Sequence, residues 1–131
     1  MAINWCVLKI DPKHIYDTGT LFSVTNAASF AAKNQYGVSG DIEKFKMLFE
    51  EKLSFSTFND TRNIVRGDTL KKYPTDVQAE VLVKETIPSS SIISVCFKTN
   101  HDLAEAKAAM SEFDTSNFTT DVEMFLPSRR A

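Results

Sequence analysis

Glycine is scarce in this chain, with four in 131 residues. That scarcity excludes a glycine-rich phosphate loop, which needs several positions where backbone approaches a phosphate closely or φ turns positive. Only two histidines are present, and neither His14 nor His101 has a Cys or His neighbour at ligand spacing, so no metal site is expected. No apolar run approaches the roughly 18 residues of a membrane span. The opening MAINWCVLKI lacks the basic flank and small-residue cleavage site of a secretory signal. These absences lead us to expect a cytoplasmic protein without a membrane partner. The formal net charge is −2, so no global positive field advertises nucleic acid, and any such contact must be local. Neither G-x-S-x-G nor H-E-x-x-H occurs, and no spacing supports a Ser-His-Asp or Cys-His arrangement. The two cysteines, Cys6 and Cys96, lie inside apolar runs and read as buried free thiols, with a disulfide left open because sequence gives no distance.

What is present is enough apolar residue, 43%, for a core of one domain spanning residues 1–131. Ile3 to Ile10 is a mostly apolar run that predicts a buried strand, ended by Asp11-Pro12. Leu21 to Val24 predicts a short strand, and Asn26 the N-cap of a helix over 27–33 closed by Tyr36-Gly37. Ile42, Phe45, Phe49 and Leu53 fall at helical spacing. The stretch 54–72 has no clear period and predicts a long loop, the kind that is often functional; within it Arg66-Gly67-Asp68 is a turn. Ile92 to Phe97 predicts a strand. A helix capped by Thr99 or Asn100 should follow, with Leu103, Ala106, Met110 and Phe113 on one apolar face, and then a last strand from Thr120 to Leu126. Strands so unevenly interleaved with helices imply an α+β fold.

The stretch YPTDVQAEVLVKETIP, residues 73–88, organises the rest. Tyr73-Pro74-Thr75-Asp76 is turn chemistry, the β-branched run that follows predicts a central strand over Gln78 to Val83, and Pro88 stops the segment. We expect this strand between those at Ile3 to Ile10 and Ile92 to Phe97, with Ala79, Val81 and Val83 facing a core. Gln78 and Glu80 would then project together from the opposite face, where a carboxylate beside an amide can act as acid, base or cation stabiliser. The plainer alternative is a solvated strand face.

The run QAEVLV, the upstream IDP turn and the segment NAAS together resemble the DarT family of DNA ADP-ribosyltransferases. The resemblance extends over nearly the whole chain, and it implies a mixed central sheet of ADP-ribosyltransferase type. It implies that Glu80 is catalytic, stabilising the oxocarbenium-like ribose as nicotinamide leaves NAD, and that Gln78 helps to orient the acceptor. The loop from Phe55 to Asp76 resembles the substrate-recognition loop. There Phe55, Phe58 and Tyr73 could stack bases of single-stranded DNA, and Arg62, Arg66, Lys71 and Lys72 could meet its phosphates. Each of these can equally be a packed aromatic or a solvated charge.

The family's pattern also has a portion before the strand at Ile3 to Ile10, holding the histidine and arginine that grip NAD. His14 does not stand at that place. The expectation is therefore a fold truncated at its N-terminus, resembling the C-terminal part of the enzyme. It would use NAD as substrate, without a metal, only when the missing part is supplied, and bind NAD weakly or not at all alone. The implied setting is a toxin–antitoxin or anti-phage system, with an antitoxin or complementary chain as partner. The competing reading is a non-enzymatic module, derived from the same family, that binds nucleic acid or a protein.

Overall fold

The computed structural model describes residues 5–56 and 59–125. The described chain forms two compact units, one from residues 5–12 and 87–125 and the other from 13–86. Helices and sheets that are partly parallel and partly antiparallel give the expected α+β class.

The first unit is a three-stranded sheet in the order β1 (Cys6–Ile10), β6 (Ile92–Phe97), β7 (Phe118–Thr120). β1 runs antiparallel to β6 and β7 parallel to it. Val95, Cys96 and Phe97 are its buried residues, and Phe97 meets Phe118 at 5.5 Å between ring centroids. Thr99 caps α2 (Asn100–Ala109) by accepting the Asp102 amide at 3.1 Å. Four expectations need correction in this unit. The strand expected to be buried over Ile3 to Ile10 is β1 in its described part, and none of β1 is buried. Cys6 is exposed while Cys96 is buried, and both are free thiols. The apolar face of α2 has no buried residue: Leu103 and Ala106 are half-buried, the helix ends at Ala109, and Met110 and Phe113 are exposed. The last strand is Phe118–Thr120; a 3-10 turn over Val122–Phe125 follows it, and Leu126 lies outside the described residues.

The second unit has two two-stranded sheets. β2 (Leu21–Ser23) pairs antiparallel with β5 (Glu80–Leu82), placing Ser23 opposite Glu80 and Phe22 opposite Val81. β3 (Lys52–Ser56) and β4 (Thr61–Val65) form a hairpin that sets Phe55 opposite Arg62. The expected long loop is therefore largely a hairpin. In KLSFS the apolar side chains alternate with polar ones, and Leu53 and Phe55 go inward. The core joins Phe22, Val24, Ala31, Leu48, Leu53 and Phe55. Burying each large side chain contributes about 1.5–3 kcal/mol.

α1 (Ile42–Met47) is shorter than its periodicity predicts. After Met47 the chain tightens into i→i+3 bonds from Leu48, Phe49 and Glu50, and Leu53 joins β3 instead. The upstream helix is also displaced. Asn26 does not cap it; its Oδ1 accepts the Ala28 amide at 2.9 Å in a local turn, and Ser29 Oγ accepts the Ala32 amide at 3.2 Å where a π-helix, Ala32–Tyr36, begins. Gly37 closes that helix at φ 72°, a left-handed value that a side chain disfavours.

The expectation for the stretch 78–83 is corrected most. Its strand is only Glu80–Leu82, and its hydrogen-bonded neighbour is β2, not β1 or β6. Val81 is 41% exposed and Val83 half-buried, so the predicted apolar face is not buried as a whole. Among the described residues β5 pairs with one strand, β2.

Candidate active site

Glu80 opens β5, and two local turns fix its surroundings. On the β2 side, Ser23 Oγ donates to the Thr25 carbonyl at 2.6 Å and bends the chain out of the strand. Asn26 then closes a turn by accepting the Ser29 amide on its carbonyl at 2.9 Å. The amide exposed by that turn, Ala27 N–H, donates to Glu80 Oε2 at 3.0 Å. The NAAS and QAEVLV segments, 53 positions apart, thus meet through one charge-assisted hydrogen bond. Glu80 is half-buried: held by backbone, but not sealed from a ligand.

On the other side, the turn before β5 is built by Thr75 and Asp76. Thr75 N–H donates to the Leu48 carbonyl at 2.7 Å and its hydroxyl to the Glu50 carbonyl at 2.5 Å, tying the turn to the core. Asp76 Oδ1 accepts the Gln78 amide at 2.9 Å, and its carbonyl accepts the Ala79 amide at 3.1 Å. Gln78 consequently belongs to the turn and is exposed. It does not share a strand with Glu80, because an Asp side chain has taken the amide that a sheet ladder would use.

The remaining residues singled out in the sequence divide by environment. Phe55 is 4% exposed and packs in the core, its ring 5.5 Å from that of Tyr36. Arg66 is 7% exposed: Nη2 donates to the Leu70 carbonyl at 2.9 Å, Nη1 to Thr75 Oγ1 at 3.3 Å, and the guanidinium lies 5.7 Å from the Phe49 centroid. Both hold the scaffold of the site rather than its surface. Arg62 is outward on β4, its side chain 58% exposed, 5.4 Å above the Phe55 ring and 3.8 Å from Asp76 Oδ2. Lys71 and Lys72 are exposed, with Lys72 Nζ 5.2 Å from the ring of half-buried Tyr73. Phe58 lies outside the described residues.

His14, in a 3-10 turn, is buried, with Nδ1 2.6 Å from Asp17 Oδ2. No group of His, Cys, Asp and Glu among the described residues could hold a metal ion, and no described helix is long and apolar enough to cross a membrane. Cavities of about 980 Å³ beside α2 and about 470 Å³ beside β2 are lined by other residues than Glu80.

Sequence reasoning missed Asp76, Thr75 and Ala27 as parts of the site. The first two were visible as Tyr-Pro-Thr-Asp turn chemistry, but nothing local indicated that Asp76 would meet Arg62 and Thr75 would meet Arg66. Residues 3–125 match the model of a family described as DarT, ssDNA thymidine ADP-ribosyltransferase. No curated protein matches the chain.

Proposed function

The chain belongs to the DarT family of ssDNA thymidine ADP-ribosyltransferases, and from that membership we propose that it transfers ADP-ribose from NAD to single-stranded DNA, with Glu80 as the catalytic carboxylate. The observation that carries the reading is the hydrogen bond from Ala27 N–H to Glu80 Oε2. It anchors one carboxylate oxygen on backbone and leaves us to assign the other, Oε1, to the nicotinamide ribose. As the bond between ribose C1′ and nicotinamide breaks, nicotinamide takes the electron pair and positive charge spreads over the ribose. A carboxylate already fixed in place stabilises that charge without reorganising. The thymidine base then bonds to C1′ and releases a proton.

In this reading Arg62, Lys71 and Lys72 meet DNA phosphates, Tyr73 offers a stacking face, and Gln78 helps to orient the base. Phe58 would be a second stacking face. The NAD grip we assign to the portion that precedes Ile3 in the family's pattern, giving an ADP-ribosyltransferase sheet completed from there. His14 is engaged with Asp17, which supports leaving it out of the grip. We extend the same reading to a defence or toxin–antitoxin role, with an antitoxin as partner, in the cytoplasm.

The test is mass spectrometry of a thymidine-containing oligonucleotide after incubation with NAD and the chain, alone and together with the family's N-terminal portion. The reading expects a mass gain of one ADP-ribose on the DNA in the combined sample. No gain there, with DNA binding retained, would leave a binding module.

A further inference from the structure

Asp76 is the anomaly of the second unit. It is 2% exposed, and while Oδ1 is bonded to the Gln78 amide, Oδ2 is buried without a hydrogen-bond partner. A buried carboxylate oxygen left unpartnered is costly, so such an atom calls for a reason. The nearest opposite charge is the Arg62 guanidinium, 3.8 Å away: too far for a hydrogen bond, close enough for a strong charge interaction on the buried side. Arg62 is meanwhile supported from below by the Phe55 ring at 5.4 Å. Phe55 is a core residue, and register places it directly across the hairpin from Arg62. One arginine is thus held by a fixed carboxylate and a fixed ring, with most of its own side chain facing solvent.

We propose that Asp76 is a positioning residue: its buried Oδ2 holds the exposed Arg62 guanidinium over Phe55, so that the cation is already oriented when a phosphate of the DNA strand arrives. The proposal rests on the nucleic-acid reading above and adds to it the group that makes Arg62 selective in direction. A long, free arginine loses rotamer entropy on binding an anion, and one already confined loses less. Asp76 also starts the turn that delivers the chain to Glu80, so the phosphate contact and the catalytic carboxylate are set by the same residue.

The experiment has two arms on the whole chain. In the first, ¹⁵N relaxation of Arg62 Nε reads confinement with no DNA present. Positioning predicts an order parameter near that of rigid backbone, about 0.85, in the wild type, falling below about 0.6 in Asp76→Asn. A wild-type Arg62 already at the mobile value overturns the proposal whether or not the variant folds. In the second arm, anisotropy of a labelled oligothymidylate is followed against salt. Asp76→Asn removes a negative charge, which by charge alone should tighten DNA binding. Positioning predicts the opposite sign: weaker binding, a salt slope reduced by about one, and no further loss when Arg62→Ala is added. Tighter or unchanged binding in a folded Asp76→Asn protein overturns the proposal. An accompanying Arg62→Ala protein that binds DNA as wild type shows that the failure lies in the phosphate role of Arg62, whereas one that binds weakly shows that it lies in Asp76.

Discussion

Replacing Arg66 with methionine separates a scaffold role from a substrate role for a residue whose type suggests phosphate binding. Methionine keeps an unbranched apolar stem but removes the guanidinium, which lies 5.7 Å from the Phe49 centroid. The change deletes the 2.9 Å bond to the Leu70 carbonyl and the longer 3.3 Å bond to Thr75 Oγ1. Hydrogen bonds from charged donors contribute about 1.5–3 kcal/mol each, the longer one at the low end. The contact with Phe49 adds about 0.5–2 kcal/mol when desolvated. Apolar burial of the new thioether offsets part of this. The net expectation is a loss of about 2–4 kcal/mol, read as a lower urea midpoint with an unchanged slope, and a fall in Tm on the order of 10 °C. DNA binding by the folded fraction should keep its salt slope. A loss under about 0.5 kcal/mol, the range of ordinary surface changes, would refute the claim that Arg66 anchors the turn before Glu80.

Other outcomes can be checked in the same denaturation assays. Leu53→Ala, at a position 1% exposed, should cost about 2–5 kcal/mol in urea unfolding, whereas a helix-surface role would cost far less. Gly40→Ala would place a Cβ 2.8 Å from the Thr20 carbonyl oxygen, so the backbone must shift, and a Tm drop is expected. Lys9 is held above its ordinary value by its hydrogen bond to Asp121 and by that carboxylate's charge. A raised folded value means its contribution is present below the unfolded value near 10.5 and lost as pH rises through the folded one. The stability gap between wild type and Lys9→Met should thus hold through neutral pH and close in strongly alkaline solution.

Ile92 to Phe97 was legible as a strand from its β-branched apolar run and became β6 without adjustment, but its burial was not: only Val95, Cys96 and Phe97 are buried, and Ile93 is exposed. The helix cap was legible to within one residue, as Thr99 or Asn100, and Thr99 takes it. Leu53 was not: it stands four residues after Phe49 and two before Phe55, so helix and strand periods both fit. The pairing of Leu53 with Ile64 across the hairpin decided the matter, and that contact is invisible locally. At the candidate site, the place of Glu80 on a strand was legible from its segment, but its relation to Gln78 was not. Alternation along VQAEVLV assumes a strand from Val77 onward, and the Asp76 side chain ends that assumption by capturing the Gln78 amide. Charge type alone also could not tell Arg62 from Arg66. Both are arginines of one hairpin arm and its exit; burial sends one outward and the other beneath the turn.

The central claim is that Glu80 is catalytic, and Glu80→Gln tests it most directly. Glutamine keeps the size and can still accept the Ala27 amide, so the melt should stay close to wild type. It lacks the negative charge for the developing ribosyl cation, a loss that typically lowers rate roughly 100- to 1000-fold. The measurement is ADP-ribose incorporation from NAD into thymidine-containing single-stranded DNA, compared with wild type in the same reaction. A loss of that size with an unchanged melt is the predicted result. Wild-type incorporation rates in a folded Glu80→Gln protein would contradict the account.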